Sequence, residues 1–255
     1  MDIMIESVAI VWKYIGETPL QALERYRATQ SIQKETPMTY AGRLDPMAEG
    51  ELLILIGDEC KNKERYLGLD KEYEVEVLFG ISTDTHDVLG IMSGMNNPSS
   101  LEFDPKSGLA KYVGRFEQEY PAYSSRTVKG KQLHELARSG VLPEEMPKRE
   151  VEIYSIELLQ TNTISGADVA DRAITNIQKV KGDFRQEDII TAWRRFKEEN
   201  ADKKFTLIKI KVMCSSGTYM RSLADRMGKD AGVGAIAMSI RRMKIIDGSR
   251  STLCP

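Results

Sequence analysis

The cleanest periodicity in the chain lies between Lys71 and Phe79, where Tyr73, Val75, Val77 and Phe79 alternate with Glu72, Glu74, Glu76 and Leu78. A two-residue period predicts a half-buried strand with Tyr73 on its apolar face, near the beginning. Phe205 to Cys214 repeats the pattern, with Ile208, Ile210, Val212 and Cys214 set against Lys209 and Lys211. Glu51 to Gly57 is instead a continuous apolar run, as expected of a strand covered on both faces. Further strands are predicted at Ser7–Ile15, which carries Lys13, and at Gly114–Glu119, Val151–Leu159 and Ile236–Ile246. Helix signals alternate with them. Thr18-Pro19-Leu20-Gln21 combines an N-cap, a proline at the first helical position and a capping-box glutamine, and predicts a helix to about Ile32. Leu20, Leu23 and Tyr26 would face inward. Shorter helices are predicted over 58–67, near 105–112 and from Leu133 through Ala137 to a stop at Gly140. In the segment 161–204, Asp183 and Gln186 precede a helix that places Ile189, Ile190, Trp193 and Phe196 on one face. A last helix follows Thr218, read as its N-cap.

Composition narrows the class without naming a chemistry. The 255 residues are 41% hydrophobic and 29% charged, enough for a real core. That length is within reach of one large α/β or α+β domain. No apolar run approaches the ~20 residues that span a bilayer, and no secretory signal pattern opens the chain, so a cytoplasmic protein is expected. Cys60, Cys214 and Cys254 are scattered, and with His86 and His134 they offer no spacing suited to zinc. His86 is expected in solvent, within the polar loop Thr83-Asp84-Thr85-His86-Asp87. The net charge of −2 does not suggest a nucleic-acid binder. Between Phe205 and Pro255, however, nine Lys/Arg stand against three Asp, which suits either a phosphate-tracking surface or an ordinary solvated face. Pro121 to Lys131 is basic and aromatic together, a composition suited to an RNA edge or to a turn with ordinary surface lysines.

The stretch with most chemical content is Met38-Thr39-Tyr40-Ala41-Gly42-Arg43-Leu44-Asp45-Pro46-Met47-Ala48-Glu49-Gly50, expected to be a loop leading into the apolar run. Gly42 is free to take positive φ, and Pro46 biases Asp45 toward extended backbone. Asp45 is then either a rigidly aimed carboxylate or merely the start of an Asp-Pro turn. Tyr73 is either a stacking ring at a site or a core tyrosine. Arg221 sits in the first turn of a helix, where a cation is disfavoured unless it answers a specific anion; an i,i+4 pair with Asp225 is the alternative. One acid, one aromatic and one arginine lack the second carboxylate of inverting glycoside hydrolysis. They suit cleavage of a base–sugar bond in which the base stays bound and rejoins through another atom.

The loop resembles the catalytic loop of the TruB family of tRNA pseudouridine synthases, Gly-x-Leu-Asp-Pro-x-Ala-x-Gly. Tyr73 in Asp-Lys-Glu-Tyr-Glu-Val, Thr83-Asp-Thr-x-Asp-x-x-Gly90, Tyr123-Ser, Gly130-Lys through Ala137-Arg138, Cys214-Ser-Ser-Gly-Thr-Tyr219-Met-Arg221 and Ile240-Arg-Arg-Met are similar to that family's segments in the same order. The resemblance implies an α+β catalytic core: a mixed, largely antiparallel central sheet flanked by helices, with the active-site cleft across it. It implies isomerisation of uridine-55 in the tRNA T-loop, with no cofactor and no metal. Asp45 would be the nucleophile, Tyr73 would stack on uracil, and Arg221 would pair with Asp45. Tyr219 and Ile240 would contact the flipped nucleotide, and Lys13 would support the pocket. Tyr40 stands where the family carries histidine, and Lys13-Tyr14 where it carries Lys-Pro. We expect one domain over 1–255 with a helical insertion at about 161–204, no C-terminal RNA-binding domain, and a monomer whose partner is the tRNA T-arm.

Overall fold

The computed structural model describes residues 7–96 and 104–247. Arg250, Cys254 and most of the loop expected at 96–100 lie outside them. In chain order the elements are β1 (Val8–Lys13), α1 (Pro19–Thr29), β2 (Met38–Ala41), β3 (Ala48–Ile56), α2 (Lys63–Leu67), β4 (Asp70–Phe79), β5 (Ile81–Thr83), β6 (Met92–Met95) and α3 (Pro105–Gly108). They continue through β7 (Gly114–Glu119), β8 (Thr127–Val128), β9 (Lys131–Gln132), α4 (Leu133–Arg138), β10 (Lys148–Ser165), α5 (Gly166–Ile177), α6 (Gln186–Asn200), β11 (Lys204–Cys214), α7 (Met220–Asp230) and β12 (Ala235–Ile246).

Eight strands form one sheet in the order β1-β3-β12-β4-β11-β10-β7, with β2 paired to β3. Every pairing is antiparallel except β12 on β3, which gives the mixed, largely antiparallel sheet that was expected. Both faces of the sheet centre are covered. Tyr73, Val75, Val77 and Phe79 of β4 join Ile208, Ile210 and Val212 of β11 beneath Met220, Leu223, Ala224 and Met227 of α7. On the other side Leu78, Leu207, Ile236 and Met238 pack under α5 and α6, through Val169, Ala173, Ile189, Trp193 and Phe196. Burying one such aliphatic side chain is worth about 1.5–3 kcal/mol, so the two helical layers hold the sheet from opposite sides. Among the described residues no helix is long and apolar enough to cross a membrane.

Several local expectations need correcting. The capping box of α1 forms as read, with Thr18 Oγ1 accepting from Gln21 N–H and Gln21 Oε1 accepting from Thr18 N–H. Leu20, however, is 57% exposed, because the start of α1 stands at the rim of a cleft; Ala22 and Leu23 are buried, and Tyr26 packs half-buried against the same cluster as Leu23. Residues 38–41 are not loop but a strand, satisfied by hydrogen bonding along β3. β3 begins at Ala48, and β10 runs on to Ser165, so the helices that link β10 to β11 start at Gly166. Thr218 does not cap α7. Its hydroxyl donates to Ser215 O, and the N-cap is Tyr219, whose N–H is taken by Gln118 Oε1 at 2.7 Å. Nor does Asp183 cap α6; Arg185 occupies that position in left-handed backbone.

Candidate active site

The Gly42–Gly50 loop is fixed from both ends. Gly42 has φ +75, as its place in the turn required, and Gly50 has φ +122 where the β12 backbone passes. An added Cβ at Gly50 would collide with the backbone of Arg242. Arg242 is 1% exposed and spends its guanidinium on this loop, donating to Gly42 O at 3.0 Å, Arg43 O at 3.4 Å and Glu51 O at 2.6 Å. From the other side Gly16 N–H bonds Pro46 O at 2.8 Å. Lys13 is completely buried, its ammonium donating to Ala48 O at 2.5 Å and Tyr14 O at 3.1 Å. Burial pulls the Lys13 amine down to about 8, against the attraction of Asp45.

Asp45 meets Arg221 at the head of this loop. Arg221, 3% exposed, donates Nε–H to Asp45 Oδ2 at 2.7 Å, Nη1 to Thr85 O at 2.7 Å and Nη2 to Tyr123 O at 3.3 Å. A second carboxylate, Asp87, lies 3.7 Å from the same Nε; it accepts from Thr85 Oγ1 and Leu89 N–H. Burial pushes the Asp87 carboxyl up, and Arg221 opposes that shift. The cation unfavourably placed in the first turn of α7 therefore answers specific anions. Asp225 instead takes Lys229 at 2.7 Å and faces His86 Nδ1 at 3.9 Å. His86 is accordingly half-buried rather than in solvent, and burial pulls its imidazole down.

Asp45, with its side chain 38% exposed, opens onto a cleft of about 640 Å³. Tyr73, Tyr219, Ile240 and Tyr40 all line that cleft, together with Arg221. Tyr73 lies opposite Arg242 and Val212 in the sheet register, which places its ring on the cleft floor between β12 and β11. Burial raises the phenols of Tyr73 and Tyr219. Tyr219 meets Tyr120 edge-on at 5.8 Å, and Lys63 Nζ sits 5.5 Å over Tyr40. Lys13, expected to support the pocket, does not line the cleft; it holds the loop from beneath. Sequence alone does not single out Asp87, Thr85 or Arg242. Asp87 carries a signal in the Thr-x-Asp spacing of a polar loop, whereas nothing along the chain separates Arg242 from surface charge.

Most of the described cations after Phe205 are engaged by the protein's own groups. Arg221 and Arg242 are buried, and Lys209, Lys229 and Arg241 pair with Glu74, Asp225 and Glu49. Exposed cations border the cleft elsewhere, at Arg43 and Arg149.

Residues 30–183 match the model of the TruB family pseudouridylate synthase N-terminal domain. The chain is 30% identical over 241 residues to tRNA pseudouridine synthase B of Lactobacillus gasseri, spanning 94% of this chain and 68% of that one. It is 29% identical over 248 residues to tRNA pseudouridine synthase 4 of Saccharomyces cerevisiae, over 83% of this chain and 61% of that one. The chain belongs to the TruB family. A chain of a solved Cbf5–Nop10–Gar1 complex shares the fold, with a TM-score of 0.50 and 16% identity over 92% of this chain and 48% of that one. The TruB match covers the Asp45 loop, Tyr73 and Asp87, whereas Arg221 and Ile240 enter the same cleft from beyond it.

Proposed function

We propose that the protein isomerises uridine to pseudouridine at position 55 of the tRNA T-loop, with Asp45 as the catalytic carboxylate. The observation that carries this reading is the Asp45 carboxylate itself, open to the cleft and held on one oxygen by a buried, threefold-bonded arginine. Its other oxygen is left to meet C1′ of a nucleotide flipped out of the loop, at an unstacking cost of a few kcal/mol. As the C1′–N1 bond breaks, Asp45 adds to C1′ or stabilises its positive charge. The freed uracil turns against Tyr73 and bonds C1′ through C5, and Asp45, where it had added, leaves C1′ as a carboxylate. The C5 proton is then lost and N1 gains one. Tyr73 supplies the stacking face, and its neutral phenol takes part in that proton transfer. Arg43 and Arg149 at the cleft border are suited to the RNA backbone, and Tyr40 to the space left by the flipped base. The proposal extends to a monomer of the cytoplasm that binds the tRNA T-arm and needs no cofactor.

A T-loop hairpin RNA incubated with the protein should gain pseudouridine by mass-labelling assay. Asp45→Asn should form none. Product from that variant, or none from the unaltered protein, would refute the assignment.

A further inference from the structure

The turn between α5 and α6 reaches the cleft, and what it does there follows from one side chain. Arg185 adopts left-handed backbone, φ +61. It donates Nη1 to Asp84 Oδ2 at 2.7 Å and Nη2 to Asp84 Oδ1 at 3.3 Å, a two-pronged pairing that fixes both groups in one plane. The same guanidinium lies over the Tyr123 ring, 4.4 Å from its centroid. Arg185 thus joins two segments distant in sequence, the 83–87 loop and the stretch around Tyr123. These two segments supply the carbonyls, Thr85 O and Tyr123 O, that accept from Arg221. The turn is anchored in its own right. Gln186 takes Phe184 N–H and donates to Gly182 O, Arg138 donates to Asp183, and Trp193 Nε1, farther along α6, bonds Val88 O at 3.0 Å. α6 therefore grips the 83–90 loop at two points.

We propose that Arg185 is a positioning residue: it clamps Asp84 to Tyr123 and so fixes the two carbonyls that orient Arg221 on Asp45. The inference rests on the catalytic assignment of Asp45 above, and adds that the helical link between β10 and β11 completes the site from outside the sheet. The guanidinium is suited to this where an ammonium is not, since only a planar fork pairs with a carboxylate and stacks on a ring together.

Two measurements test it, one of them independent of catalysis. In hydrogen exchange without RNA, Arg185→Ala should speed the amides of 83–87 and 121–126 about tenfold while those of β4 stay unchanged. In single-turnover assays with the hairpin RNA, Arg185→Ala should slow isomerisation about tenfold with affinity within about twofold, because misorientation costs rate rather than binding. Arg185→Lys should recover only part of the rate. Arg195→Ala, on the exposed face of the same helix, should leave rate and exchange as they are. Unchanged exchange in those two segments overturns the clamp, and so does a full isomerisation rate. Lost affinity at an unchanged rate would make Arg185 an RNA contact and overturns it too. If the unaltered protein forms no pseudouridine while exchange responds as stated, the catalytic assignment fails and the clamp stands.

Discussion

Arg221 and Asp45 are 176 positions apart in sequence and 2.7 Å apart in space, nitrogen to oxygen. The arginine is sealed in the protein and the aspartate is open to the cleft, so the pair is buried on the side that must not move and exposed on the side that must react. Two backbone carbonyls take the remaining arms of the guanidinium. The direction in which the carboxylate points is thereby set by three separate segments.

Arg221→Lys keeps a positive charge but cannot make those three bonds at once. Single-turnover isomerisation should fall on the order of a hundredfold, through misorientation. Hairpin binding by filter assay should stay near that of the unaltered protein. A variant with an undiminished rate would show that charge alone suffices.

Tyr73→Phe retains the ring and removes the hydroxyl. Burial raises the Tyr73 phenol, so it is a neutral donor near pH 7. Rapid-quench measurement should show a loss of about a hundredfold in the isomerisation step, the size expected of a lost proton-transfer group. Affinity should be preserved, while Tyr73→Ala should lose affinity as well. Equal rates for Tyr73→Phe and the unaltered protein would reduce the residue to a stacking surface.

Gly50→Ala tests the fit of β12 against the catalytic loop. The position has φ +122, and a Cβ there would strike the Arg242 backbone. Positive-φ strain and overpacking each cost about 1–3 kcal/mol. Denaturant unfolding should therefore show a loss of more than about 2 kcal/mol. A stability within error of the unaltered protein would mean that the two strands separate there easily.

Lys13 gives the protein an unusual pH dependence. Its amine falls from 10.5 unfolded to about 8 folded, chiefly through burial. Between those values the unfolded chain binds the extra proton, so the Lys13 contribution to stability rises as pH climbs through that window. Below it, both states are charged and the full burial cost is felt. The rise is bounded at about 3 kcal/mol, from roughly 1.4 kcal/mol per pKa unit. Lys13→Met should remove this slope from urea unfolding curves taken across the window, leaving the weaker fold less dependent on pH. Lys71, pulled down to about 8 by burial as well, should keep some slope in that variant. Parallel pH profiles for the two proteins would contradict the assignment of a buried, titrating Lys13.

Alternation of apolar and charged positions is a local property, so the strands with a clear period could be read off the chain: β4 and β11 were legible to within a residue or two. So could the capping box of α1 and the buried face of α6, each written within four residues or so of chain. The turn around Asp45 was readable because its glycines and proline constrain the backbone locally, whereas the role of Asp45 came from the resemblance to the TruB family. Tertiary structure alone decided which charges are chemistry and which are scaffold. Nothing local distinguishes Arg242, which is buried and holds the loop, from Arg241, which pairs with Glu49 at the surface. The choice of Asp45 over Asp225 as partner of Arg221, the arrival of Asp87 beside them, and the reach of Arg185 to Tyr123 are contacts between segments roughly 60 to 180 positions apart. Such contacts depend on how the sheet orders its strands. A period along one strand does not encode which strand will lie beside it.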